Sequence, residues 1–158
     1  MKIIGDGGHA KVVRDILRLR PRVAHSDATF VAVGDNAARK REVEAHAGAR
    51  FTAIVSLHAI VSPGAIYGEG TLICEGVIVQ TGARIGKHCI LNAGCVVTHD
   101  CVIEDFAHIA PGAILCGGVH VGEGALVGVG VAVAPGGNIP AWTVAKARKL
   151  DLEPIPSY

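Results

Sequence analysis

Ile73-Cys74-Glu75-Gly76-Val77-Ile78-Val79-Gln80-Thr81-Gly82-Ala83-Arg84-Ile85-Gly86-Lys87-His88-Cys89-Ile90-Leu91 places an aliphatic residue at every sixth position: Ile73, Val79, Ile85 and Leu91. The beat runs without a slip over 55–138, where Val55, Val61, Tyr67, Ile73, Val79, Ile85, Leu91, Val97, Ile103, Ile109, Leu115, Val121, Val127 and Val133 mark fourteen units. Only Tyr67 is not aliphatic. Four residues after each stands a small or β-branched one, from Ala59 and Ala65 through Cys89, Cys95 and Cys101 to Gly137. A helix needs apolar returns near 3.6 and a half-buried strand returns at about 2, so this period fits neither. It predicts a parallel β-helix in which each unit is a short strand plus a turn. The large residue fills the coil and the small one takes the tighter inward place near the corner.

The chain has 158 residues, enough for one compact domain or a small one joined to a repeat. With 15 basic and 14 acidic residues the net charge is +1, which favours neither nucleic acid nor an anionic membrane as partner. No run reaches the roughly eighteen apolar residues of a membrane span, and the opening residues lack a secretory pattern, so the expected location is the cytoplasm. Cys89, Cys95 and Cys101 fall at the small inward place and read as core residues rather than metal ligands. Cys74 and Cys116 follow inward positions and are expected near the corner.

Ahead of the repeat, Lys2-Ile3-Ile4 reads as a strand and Gly5-Asp6-Gly7-Gly8-His9-Ala10 as a glycine-rich turn. The turn leads into a helix over 11–20 with an apolar face of Val12, Val13, Ile16, Leu17 and Leu19, closed by Pro21. Such a turn offers backbone N–H groups to an anion, or simply packs the helix on the strand. Residues 27–34 read as a second strand, Asp35-Asn36 as a cap, 37–46 as a charged helix and 51–55 as a third strand. The unit is about half the usual size of a nucleotide-binding fold. Behind the repeat, Pro135-Gly136-Gly137-Asn138-Ile139-Pro140 is expected to break the pattern, and 142–150 to form a short helix with Lys146, Arg148 and Lys149 before an extended tail.

Because the inward places are assigned, His58, His88, His99, His108 and His120 must project from corners or outer faces. Each is either a surface or interface histidine or one that works chemically near neutral pH. His99 stands out because Asp100 follows it, with His108 nine positions on.

Three segments carry a family resemblance: 5–13, the link Leu57-His58-Ala59-Ile60-Val61-Ser62-Pro63-Gly64-Ala65, and the run from Asn92 through Thr98-His99-Asp100 to Glu104. Together they resemble the hexapeptide-repeat sugar O- and N-acyltransferases of the sialic acid and bacillosamine pathways. The resemblance implies a mainly β fold: a left-handed parallel β-helix over 55–140, a small truncated Rossmann-like α/β domain over 1–54 that takes a nucleotide sugar, and a C-terminal helix and tail over 141–158. It implies direct acetyl transfer from acetyl-CoA to an amino or hydroxyl group of a nucleotide-linked sugar in glycan synthesis.

In that family the residue matching His99 is the general base and the one matching Asp100 orients it. A proton must leave the attacking group, and an imidazole of pKa near 6.5 takes it at neutral pH. The residue matching His108 lies near the acetyl carbonyl, and the one matching Gly117 offers a backbone N–H to the oxyanion. The matches at Gly8, His9, Gly34, Asp35, Asn36 and Asn92 contact the nucleotide sugar, and no metal is implied. A homotrimer is implied too, and the outward Ile60, Ile66, Leu72, Ile78, Ile90, Val96, Val102, Ile114 and Leu126 are read as surface buried against neighbours. The front lacks the family's additional strand with acidic residues for the base, and Trp142-Thr143-Val144-Ala145 replaces the usual ending near the cofactor. A non-catalytic trimeric assembly protein and a metal-dependent hydratase of the β-helical carbonic anhydrase kind are the rival readings.

Overall fold

The computed structural model describes residues 1–19 and 28–147. The expected helix stop at Pro21, the link over 20–26, Arg148, Lys149 and the tail lie outside the described residues.

In the front unit β1 (Lys2–Ile4) pairs in parallel with β2 (Thr29–Val31), and Phe51 adds a bridge to Thr29. α1 (Gly8–Leu19) starts earlier than the apolar pattern suggests, because the Ala10 and Lys11 N–H groups already bond the Gly7 carbonyl at 3.1 and 3.3 Å. The glycine turn is itself the helix start. Ala10, Val13 and Ile16 share one buried face of α1 and belong to the same core as Phe30, Leu72 and Ile90. α2 (Asn36–Ala45) is capped by Asp35, whose Oδ1 accepts the Ala38 N–H at 2.7 Å. Within 51–55 only Ile54–Val55 forms a strand, and it belongs to the coil.

Sixteen two-residue strands follow among the described residues, from β3 (Ile54–Val55) to β18 (Val144–Ala145). Each pairs in parallel with the strand one coil away, as Val96 does with Ile78 and Ile114, and the strands stack into three sheets. One face of the prism presents Ile60, Ile78, Val96, Ile114 and Ala132. The second presents Ile66, Arg84, Val102, His120 and Asn138, and the third Ile54, Leu72, Ile90, His108, Leu126 and Val144. Inside, Ile73, Leu91, Val97, Ile109, Leu115, Val121 and Val127 are fully buried, as are Cys89, Cys95 and Cys101. Truncating one such Leu or Ile to Ala costs about 2–5 kcal/mol.

Three expectations need correction. Tyr67 is 42% exposed although it keeps the inward beat, because the first coil is the open end of the prism. Leu72 and Ile90 are outward-facing yet buried, at 1% and 3% exposure, because the chain's own front unit covers the start of the third face. The coil does not stop at Pro135: Asn138–Ile139 and Val144–Ala145 continue it, and Trp142 lies in a turn, not a helix. Both prolines fall outside the strand pairs, so Gly122 still donates to the Ile139 carbonyl and Gly128 to that of Ala145, each at 2.8 Å. The ladder outweighs the helical preference of the alanines and lysine.

Candidate active site

Two groups of chemically able side chains form on different parts of the prism. The first lies where the front unit meets the third face. His108, opening the strand His108–Ile109, stands edge-on to His9 of α1 with ring centroids 5.5 Å apart. Its Nε2 is 3.2 Å from Asn92 Nδ2, and the Gly34 carbonyl also faces the ring. His9 packs so tightly on Gly34 that a β-carbon there would stand 2.6 Å from Nδ1. Burial, then Arg39 and His9, push the His108 imidazole down to about 4, and burial with Arg39 lowers His9. His108 is therefore neutral at pH 7, able to hold a hydrogen bond but not a positive charge.

Beside His108 a crevice of about 220 Å³ runs between Gly34-Asp35-Asn36-Ala37 and Gly124, Leu126, Trp142, Thr143 and Val144. A second recess of about 240 Å³ is bounded by Gly5-Asp6-Gly7-Gly8-His9 and Ala32-Val33-Gly34. It sits at the N-terminus of α1, where main-chain N–H groups suit an anion. Gly8, His9, Gly34, Asp35, Asn36, Asn92 and His108 thus gather along one seam. The Asp35 carboxylate is committed to its cap. The Asn36 amide donates to the Gly124 and Ala125 carbonyls at 3.0 and 3.2 Å, so it ties the front unit to the coil.

The second group occupies the corner between the first and second faces. His99 Nδ1 meets Asp100 Oδ2 at 2.9 Å, the His99 main-chain N–H donates to Gln80 Oε1 at 3.1 Å, and Gly117 lies against the ring one coil on. The imidazole is 61% exposed and borders an open apolar groove of about 620 Å³ lined by Ile60, Ile78, Val79 and Thr81. Asp100 holds φ +59°, a left-handed conformation that Gly82, Gly118 and Gly136 adopt at the same corner of other coils. His88, Phe106 and Trp142 hold the same conformation at another corner, and Asp adopts it at modest cost. Such strain marks sites where a side chain is needed in place of glycine.

No protein-family model and no curated protein matches the chain. Solved structures do. The acetyltransferase domain of PglB from Neisseria gonorrhoeae, in complex with acetyl coenzyme A, superposes with a TM-score of 0.83 at 27% identity, over 90% of this chain and 85% of that one. PerB from Caulobacter crescentus, in complex with CoA and GDP-perosamine, gives a TM-score of 0.82 at 35% identity over 90% and 83%. The chain belongs to the hexapeptide-repeat sugar acyltransferases. WeeI from Acinetobacter baumannii shares the fold at 21% identity, with a TM-score of 0.69 over 90% and 94%. The coil accordingly has the left hand of this family.

For a sugar acyltransferase the least foreseeable feature is Arg39, 1% exposed in an otherwise polar helix. Its Nε donates to the His88 carbonyl at 2.8 Å, Nη1 to those of Val33 and Gly34 at 3.0 and 3.2 Å, and Nη2 to Asn36 Oδ1 at 2.8 Å and the Phe106 carbonyl at 2.6 Å. Nothing in the charged pattern of 37–46 distinguishes it from its neighbours Lys40 and Arg41. His88 also departs from expectation: it is buried between Phe51 and Phe106, stacked on the latter at 5.3 Å, and burial lowers its pKa. His120 bridges Glu104 and Asn138, each at 2.9 Å, on the second face. Burial pushes the thiols of Cys74, Cys89 and Cys95 up to about 12, so none supplies a thiolate at neutral pH. Cys74 is buried rather than at an open corner. Among the described residues no three His, Cys, Asp or Glu side chains converge as a metal site, and no helix is long and apolar enough to cross a membrane.

Proposed function

We propose that the chain transfers the acetyl group of acetyl-CoA to the amine of a nucleotide-linked 4-amino sugar, with His99 as general base. The observation that carries this reading is the His99–Asp100 pair at 2.9 Å, set against Gly117 beside an open groove. Its Nδ1 faces the carboxylate, which leaves Nε2 to receive a proton. The 35% identity with a protein solved with CoA and GDP-perosamine supports both co-substrates.

In this mechanism the acceptor nitrogen attacks the thioester carbonyl and its proton passes to His99 Nε2. The tetrahedral oxyanion meets the Gly117 N–H. Collapse breaks the carbon–sulfur bond, and the proton on His99 goes to the departing CoA thiolate. The thioester is already activated, so no covalent enzyme intermediate is required.

Within one chain the His99 corner and the His108–Asn92 seam are separate groups. A trimer in which the corner of one subunit meets the seam of the next would unite them, and the aliphatic row Ile60, Ile78, Val96, Ile114 and Ala132 supports such packing. The recess over Gly8 and His9 would then take the nucleotide phosphates.

Calorimetric titration with acetyl-CoA, followed by mass and NMR identification of the product from UDP- and GDP-linked 4-amino sugars, tests the proposal. It predicts saturable acetyl-CoA binding and one N-acetylated product. An O-acetylated product would replace the amine, and absence of acetyl-CoA binding would remove the reading.

A further inference from the structure

Arg39 is a buried cation whose five hydrogen bonds all go to uncharged acceptors: the carbonyls of Val33, Gly34, His88 and Phe106 and the Asn36 amide oxygen. A guanidinium in such a place ordinarily takes a carboxylate partner, because desolvation of the charge is costly. The acceptors come from both sides of the seam, two from the chain before α2 and two from corners of the coil. One of them, the Gly34 carbonyl, also faces the His108 ring.

The rest of the arrangement follows from donor and acceptor chemistry. Asn92 Oδ1 accepts the Ala93 N–H at 2.9 Å, which fixes the amide with Nδ2 toward His108, 3.2 Å from Nε2. His108 Nε2 must therefore be the acceptor, and the ring proton sits on Nδ1, facing the Gly34 carbonyl. Nδ2 keeps a second N–H, for which the described residues provide no acceptor.

The geometry points to Arg39 as a positioning residue: through the Gly34 carbonyl it fixes His108 as a hydrogen-bond acceptor, and His108 in turn holds Asn92 with one N–H free for the bound sugar. The inference rests on the acyltransferase reading for the identity of that ligand, but the device is internal to the chain. The charged or titratable groups that face His108 are Arg39 from α2 and His9 from α1, and both oppose its protonation. His108 consequently offers no N–H to an acyl oxygen. Any donor to the ligand on this side is Asn92.

Long-range 1H–15N spectra of histidine-labelled protein test this without substrate. In the wild type His108 is expected as the Nδ1–H tautomer throughout pH 8 to 6. In Arg39→Met, with fold checked by circular dichroism, the His108 titration rises by roughly half a pH unit or more and the two tautomers mix. A wild-type His108 protonated on Nε2, or charged at pH 6, overturns the proposal whether or not the variant folds; so does a folded Arg39→Met with the wild-type tautomer and titration. Acetyl-CoA binding measured on the same samples reports separately on the acyltransferase reading.

Discussion

The α-carbon of Gly117 lies against the imidazole of His99: a β-carbon built there would stand 2.6 Å from Cε1 and 2.7 Å from Nε2. Gly117 has no left-handed backbone to protect, so its lack of a side chain serves the ring alone. Gly117→Ala should displace the imidazole and lower kcat by roughly 10- to 100-fold, since small misplacements of a reacting group have effects of that size. The melting temperature should stay nearly unchanged, because an exposed ring can move aside. Steady-state kinetics with a thermal melt checks both parts.

Asp100 should show the opposite signs for stability and activity. Its φ of +59° costs a non-glycine residue roughly 1 kcal/mol, which Asp100→Gly releases. The same change removes the partner of His99 Nδ1 and should lower kcat by about 10-fold or more. Asp100→Asn keeps the strain and should lose activity without gaining stability, as denaturant unfolding beside the assay would reveal.

The solenoid was legible because burial imposes a strict spacing, and Ile73 through Val127 obey it. The seam was only partly legible. Gly8, His9 and Asn92 lie in segments that resemble a family, whereas Arg39 looks like any surface arginine of a charged helix until the coil supplies the carbonyls of His88 and Phe106, 49 and 67 residues away. The C-terminal coil was misread for a related reason. The alanines and lysines of 142–150 suggest a helix locally, yet the pairing of Val144 and Ala145 with Leu126 and Val127 decides the outcome. Long-range partners cannot be read from a local window.

Stability should fall on acidification through a definite window. His108 is held down to about 4 in the folded chain against an ordinary 6.5, so between those values the unfolded chain binds a proton that the folded one refuses. Folding free energy then drops by up to about 3 kcal/mol as pH falls from 6.5 to 4 and levels off below. His9 and His88, also lowered, act in the same direction. His108→Gln should flatten the profile, as urea unfolding at a series of pH values would measure.

If the first face packs against neighbours, a charge in its aliphatic row should dissolve the assembly. Ile114 is 42% exposed in the isolated chain, between Val96 and Ala132. Ile114→Asp should yield monomers by light scattering after gel filtration, with near-normal folding and activity reduced at least 10-fold, because the His99 corner and the His108 seam no longer meet. A variant that is monomeric and fully active would locate the whole site within one chain.

The most direct test of the central claim is release of free CoA thiol from acetyl-CoA over a panel of UDP- and GDP-linked 4-amino sugars, with His99→Ala beside the wild type. The account predicts turnover that requires one acceptor and falls by roughly 100-fold or more in the variant. Wild-type turnover that His99→Ala leaves intact, or no turnover with any acceptor, would contradict it.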